Sequence, residues 1–275
     1  MNCISKCCAI VALCSCTLEA QTESSIWYAE HQNNQGRYFN PWQVEGGPSL
    51  WGLIRAYTRT NPYSGVPEPE VPLAIQDYLP DPGSEALVTW LGHATVAIQD
   101  QGDLILTDPN FNDNTGVYRR HSPPGIPLEQ LPAPSFGVIS HNHYDHLDKP
   151  SILALPKDTI WLVPAGLGEW FEAQNRNRVI ELDWWQSQQI NDWTVTCVPV
   201  QHWSLRLGQP RNSTLWCGWI LESRTKTYFF AGDTGYFDGF VEIGKRFPDI
   251  DVAMLPIGSY APREFLAYQH MDPAD

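Results

Sequence analysis

From Val88 onward the chain is punctuated by short apolar runs that stop on glycine, proline, asparagine or aspartate. They are VTWLGHATVAIQD, GDLILTDP, FGVISHNH, TIWLVPAG, TVTCVPVQH, TLWCGWILES, KTYFFAGD and DVAMLPIGS. Their content of Val, Ile, Thr and aromatic residues predicts strands. Two segments between them, GLGEWFEAQN and FVEIGKRF, carry helical spacing instead. Strands in the majority with fewer helices between them predict a mixed sheet system with helices outside. The fold class is therefore α/β, or α+β in some schemes.

The pattern upstream is different. Residues 26 to 60 mix aromatics with Gly and Asn and hold no period, and six prolines then fall between Pro62 and Pro82. That density excludes a regular helix or a central strand. At the start, the apolar stretch CCAIVALC follows Lys6 and is too short to span a bilayer, so it predicts a secretory signal. The tetrapeptide LCSC ends at Cys16 and has the form of a bacterial lipobox, in which Cys16 would be lipidated; ordinary signal cleavage stays open. The expected organisation is a signal segment over 1–16, a tether and Pro-rich extension over 17–84, and the main domain over 85–275. Such a chain would be exported, most simply as a periplasm-facing membrane lipoprotein, with a soluble periplasmic or secreted protein as the alternative.

Charge narrows the partners. A formal net charge of −14 opposes nucleic acid and purely electrostatic docking to anionic lipid. Twelve tryptophans suit a membrane interface, although Trp184, Trp185, Trp216 and Trp219 fit core packing as well. Cys197 and Cys217 sit in apolar strand-like runs and read as small buried side chains, with a disulfide left open.

The chemistry concentrates at residues 141–148, HNHYDHLD, directly after the apolar FGVIS. In extended backbone, residues two apart face the same side, which brings His141 and His143 together and continues to Asp145, with His146 at the turn. Imidazole and carboxylate suit zinc. Two later runs each stop on a ligand-capable residue, His202 and Asp233. No GxSxG, phosphate-binding loop or cysteine-pair zinc ribbon competes.

This series resembles the metallo-β-lactamase-fold hydrolases, and within them the N-acylphosphatidylethanolamine-hydrolysing phospholipase D group and its bacterial relatives. The residues carrying the resemblance are FNPW (39–42), WLGHATV (90–96), LTDP (106–109), ISHNHYDHLD (139–148) and VIELDWW (179–185). They continue with QHW (201–203), FFAGDTGY (229–236), EIGKRF (242–247) and LPIGSYAPREF through YQHMDP (255–273). The resemblance implies an αββα sandwich with a two-zinc site at one edge. His141, His143 and His202 would hold the first zinc, Asp145 and His146 the second, and Asp233 would bridge them. Asp145 and Asp233 would also serve catalysis, Asp145 by orienting the nucleophile. Asp108 would orient the ligand loop from outside, and Tyr144 and His270 would contact a phospholipid substrate. The implied reaction releases N-acylethanolamine and phosphatidic acid. A lactone, β-lactam or soluble-phosphodiester hydrolase, or an inactive zinc-binding membrane-anchored protein, remains open because fold does not dictate substrate.

The resemblance also implies one more histidine for the second zinc, beyond QHMDP. MDPAD reads as a helix start with Asp272 as N-cap and Pro273 at the first position, so a truncated chain is expected. His93 and His270 are further imidazoles, but their spacing gives no reason to put them in the missing place.

Overall fold

Side chains along a strand alternate between two faces, and here the alternation separates two cores. The computed structural model describes residues 26–43, 76, 78–115, 118–120 and 122–275. The signal segment and Cys16 lie outside the described residues, as does most of the Pro-rich stretch. One sheet has six strands in the order β1-β2-β3-β6-β7-β8. These are β1 (Leu87–Gly92), β2 (Thr95–Asp100), β3 (Asp103–Thr107), β6 (Phe136–Val138), β7 (Ile160–Pro164) and β8 (Val179–Leu182). The other has five, in the order β13-β12-β11-β10-β9. These are β9 (Ser187–Ile190), β10 (Trp193–Val198), β11 (Gly218–Glu222), β12 (Thr227–Phe230) and β13 (Val252–Met254). A small ribbon pairs β4 (Asn114–Thr115) with β5 (Tyr118–Arg119).

Val96, Ile98, Ile105, Phe136 and Leu162 of the first sheet pack between the layers against Trp193, Val195, Trp219, Leu221 and Phe230 of the second. The neighbours Ala97, Leu104, Leu106 and Trp161 point the other way, onto α1 (Lys149–Ala154) through Ile152 and onto α2 (Gly168–Glu172) through Phe171. Ile220 and Phe229 face outward onto Ile243 of α3 (Gly239–Arg246). Helix, sheet, sheet and helix are thus stacked as layers, the αββα arrangement expected from sequence. A last short helix, α4 (Arg263–Leu266), lies near the chain end. Past it, the Asp272 carboxylate accepts from the backbone N of Ala274 at 2.7 Å within a turn.

Three differences from the sequence reading have local causes. VTWLGHATVAIQD is a hairpin rather than one strand, because Gly92 (φ +117) and His93 (φ +51) turn the chain between β1 and β2. VIEL and SQQI form β8 and β9, although their polar residues hide the pattern; both lie toward sheet margins where one face meets solvent. Residues 26–43, within the stretch read as tether, dock on the domain: Trp27, Trp42, Trp184 and Phe237 pack ring to ring. Trp216 and Trp219 are buried, and Cys197 and Cys217 are buried and free.

Candidate metal centre

Parallel pairing of β3 with β6 brings Asp108, just past β3, beside the chain leaving β6. Asp108 Oδ1 accepts from the Ser140 backbone N at 2.7 Å, and Oδ2 accepts from Ser140 Oγ at 2.5 Å and from His146 Nδ1 at 2.7 Å. The loop from Ile139 to Leu147 is thereby tied at both ends to one carboxylate. Downstream, Asp148 caps α1 by accepting from Ser151 N at 3.0 Å, and Asn112 donates to both its oxygens. His202 follows β10, and Asp233 follows β12. Gly232 takes φ +60, and a Cβ there would stand 2.5 Å from that of Ser140, so only glycine lets the two loops approach.

The hydrogen bonds on the outside of each ring decide which nitrogen faces inward. His146 Nδ1 donates to Asp108, which directs Nε2 into the site. His202 Nδ1 donates to the Gln269 carbonyl at 3.1 Å, which leaves Nε2 bare. Ser140 Oγ, donating to Asp108, accepts from His141 Nδ1 at 2.9 Å and bares a second Nε2. His141 Nε2 stands 2.7 Å from His143 Nδ1, and His202 Nε2 stands 3.3 Å from the same atom. Neutral imidazoles cannot satisfy one another three ways, and the buried Nε2 atoms of His143 and His146 have no well-directed hydrogen bond at all. Lone pairs converging from rings locked by outer acceptors fit a divalent cation.

Electrostatics favour the neutral ring at three of the four histidines and the charged ring at His146. Burial, with the neighbouring imidazoles, holds His141 and His202 well below the usual histidine range, against the pull of Asp233. Burial likewise pushes His143 down to about 4. Metal binding needs deprotonated rings, and burial favours that form at all three. At His146 burial also opposes the charge, but Asp233, Asp145 and Asp108 outweigh it and raise the pKa well above normal. Burial works against ionised Asp145 and Asp233, yet His146 and its neighbours keep both carboxylates below their ordinary range. For Asp108, burial dominates and draws the carboxyl upward.

Every residue singled out in the sequence as a metal ligand is brought to this one place. His141, His143 and His202 form one group with ligand atoms within 4.8 Å of each other. Asp145 and His146 belong to a second, and Asp233 Oδ2 lies 3.3 Å from His146 Nε2 and 3.7 Å from His202 Nε2, between the two. His270 reaches the site, 3.8 Å from Asp233, and Tyr144 stands half-exposed at its mouth with Arg206 stacked 4.1 Å over its ring. His93 was not placed by sequence reasoning: its Nε2 meets Asp145 Oδ2 at 3.1 Å and completes a group with Asp145 and His146. The signal was its position in WLGHATV, at a positive-φ turn that points it back over the sheet edge.

The cluster floors a cavity of about 1060 Å³ between the two sheets, whose walls include Val88, Trp90, Val96, Phe230, Met254 and Ile257. A charged, ligand-rich floor under apolar walls suits an amphiphilic substrate.

The sequence profile of the beta-lactamase superfamily domain matches residues 104–275. A protein of Mycobacterium tuberculosis is 37% identical over 221 residues, covering 77% of this chain and 58% of its own length. The N-acyl-phosphatidylethanolamine-hydrolyzing phospholipase D 1 of Caenorhabditis elegans is 34% identical over 255 residues, covering 83% of this chain and 71% of its own. Thus the chain spans somewhat over half the length of the mycobacterial relative and most of the nematode one. An isothiocyanate hydrolase from Delia radicum gut bacteria shares the fold, with a TM-score of 0.53 at 23% identity over 67% of this chain and 76% of that one. Through the profile over its ligand-bearing strands and the relatives matched across them, the chain belongs to the beta-lactamase superfamily domain, in the metallo-β-lactamase-fold group that includes the N-acyl-phosphatidylethanolamine-hydrolyzing phospholipases D.

Proposed function

We propose that this chain carries a zinc-dependent phosphodiesterase of phospholipase D type, which hydrolyses N-acylphosphatidylethanolamine-like phospholipids to N-acylethanolamine and phosphatidic acid. The observation that carries the reading is the convergence of ring nitrogens of His141, His143, His146 and His202, with His143 and His202 opening onto a largely apolar cavity. The nematode relative's activity, at 34% identity, supports the phospholipid class.

His141, His143 and His202 would hold one ion, Asp145 and His146 would hold a second, and Asp233 would serve both. Held by these residues, zinc would supply Lewis-acid polarisation of a phosphoryl oxygen and would lower the pKa of a bound water from 15.7 to about 7. The protein's own contribution is orientation. Asp108 keeps His146 in one tautomer, and the Gln269 carbonyl does the same for His202. Asp145 stays ionised at the cavity floor, where it can accept a hydrogen bond from the attacking water and direct it at phosphorus. The bond that breaks joins phosphorus to the ethanolamine oxygen, which leaves with the proton. Apolar walls at Trp90, Met254 and Ile257 would shelter acyl chains, while Tyr144 and His270 would flank the phosphate. A lipid anchor at Cys16 of an exported chain would hold this mouth beside a membrane.

The test is hydrolysis of N-acylphosphatidylethanolamine in mixed micelles, with N-acylethanolamine and phosphatidic acid identified by mass spectrometry. Zinc-dependent release of both, lost in His143→Ala, is the expected result. Turnover of only a lactone, a β-lactam or a soluble phosphodiester would replace the substrate class and keep the hydrolase. Zinc bound without turnover of any of these would replace the enzyme with a zinc-binding protein.

A further inference from the structure

Chain leaving the end of β10 runs from Pro199 to Cys217 without joining a sheet, so its buried carbonyls need partners from elsewhere. At His202 that partner comes from 162 residues upstream: Asn40 Nδ2 donates to the His202 carbonyl at 3.1 Å. The same amide group donates to Gln43 Oε1 at 2.9 Å, and Asn40 Oδ1 accepts from Trp216 Nε1 at 3.0 Å. Trp216 Nε1 is shared with the Val200 carbonyl, also at 3.0 Å. Trp42 Nε1 then donates to Gln201 Oε1 at 3.2 Å. Three successive residues, Val200, Gln201 and His202, are therefore gripped by one short upstream segment and the tryptophan it touches. Asn40 itself is buried, with donor and acceptor both engaged.

The segment is held in turn at points away from the site. His31 pairs with Asp183 at 2.7 Å and stacks on Trp184 at 4.3 Å, Tyr38 N donates to the Asn212 carbonyl at 2.8 Å, and Trp185 Nε1 donates to the Trp27 carbonyl at 2.7 Å. It is thus a strap with its own anchors and one residue, Asn40, aimed at the backbone of His202. On the other side, the outward nitrogen of the His202 ring, Nδ1, is held by the Gln269 carbonyl.

We infer that Asn40 is a positioning residue for His202: the strap over residues 26–43 sets the backbone from which this imidazole reaches the centre. The inference rests on the metal reading of that centre. Residues 26–43 lie outside the matched superfamily domain, so the strap extends the functional unit upstream of it.

The experiment compares the unsubstituted chain with Asn40→Asp and His31→Ala, by zinc competition titration and by the visible absorption of the cobalt-loaded protein. Asn40→Asp keeps the shape and the acceptor for Trp216 but turns an oxygen toward the His202 carbonyl. His31→Ala weakens the strap without touching His202. Asn40→Asp is expected to bind zinc about tenfold more weakly and to shift the cobalt spectrum, as loss of an outer partner does. His31→Ala is expected to lower Tm and leave both unchanged. Equal zinc affinity in Asn40→Asp, or an equal loss in His31→Ala, overturns the inference. If Asn40→Asp does not fold, hydrogen exchange on the unsubstituted chain decides: zinc should slow exchange at residues 39–43 together with 201–203. Slowing at 201–203 alone overturns it. If the unsubstituted chain binds no zinc, the metal reading falls first and this inference with it.

Discussion

His146 Nδ1 donates a 2.7 Å hydrogen bond to Asp108 Oδ2, and the two side chains, 38 residues apart, are both sealed from solvent. The same carboxylate takes two further bonds from Ser140, so all its acceptors in the site are engaged by donors. Asp108→Asn has the same shape but only one oxygen. Its amide group must face either the Ser140 N–H or the His146 N–H, donor against donor. Zinc affinity should fall by about ten- to a hundredfold, as measured by competition with a chromogenic chelator on protein that retains its circular dichroism. Unchanged affinity would show that Asp108 serves the loop and not the centre.

Removing the metal should act on stability as well as on turnover. Bare lone pairs crowded at 2.7–3.3 Å are relieved when a cation accepts them. A ligand present at a hundred times its Kd stabilises the fold by about 2.7 kcal/mol. Dialysis against chelator should therefore lower Tm, and zinc should restore it. In His143→Ala, zinc should no longer do so.

Gly232→Ala should destabilise the fold without altering any ligand. The substitution places a methyl on φ +60 backbone and 2.5 Å from the Ser140 Cβ. Strain of this kind costs about 1–3 kcal/mol, and urea unfolding at neutral pH should report at least that much. A change under 0.5 kcal/mol, the ordinary range for an innocuous site, would refute the steric argument.

The strap predicts a pH window. Burial opposes charge on His31, but its hydrogen bond to Asp183, the Asp183 charge and the Ala29 carbonyl together raise its pKa. Burial also opposes ionised Asp183, yet His31 and the Trp184 amide lower its pKa. The histidine contribution is complete below its unfolded pKa of about 6.5 and fades as pH rises through the raised folded value. The aspartate contribution is complete above about 3.9 and fades as pH falls through the lowered one. The Tm difference between the unsubstituted chain and His31→Ala should be largest from about pH 4 to 6.5. A difference that grows above pH 8 would contradict the pair.

Ile257 stands 65% exposed and lines the cavity, where it adds apolar surface. Ile257→Ser should leave zinc affinity and Tm unchanged and raise KM for long-chain phospholipid several-fold. Short-chain soluble diesters should be turned over as before. Equal loss on both substrates would place Ile257 in the structure of the centre instead of in lipid contact.

Much of the sandwich was legible because strand formation is written locally. Ile98 and Ala97 choose opposite cores by a period of two, whatever their partners turn out to be. HNHYDH was legible for the same reason, since its ligands are neighbours in sequence. The hairpin at His93 and the strands β8 and β9 were not. A positive-φ turn inside an apolar run, and polar residues on a half-exposed strand, carry weak local signals.

What the sequence determined by itself was therefore the alternation that makes two sheets and the cluster of ring nitrogens and carboxylates after FGVIS. Only the tertiary structure decided which distant groups orient that cluster: Asp108 against His146, Gln269 against His202, His93 against Asp145, and Asn40 beneath the His202 backbone. The reason is physical. Periodicity records which way a side chain points from its own strand, whereas an outer hydrogen bond depends on which strands pair and where loops from separate layers meet. For Asn40 and His202 that meeting spans 162 residues, and no local pattern encodes it.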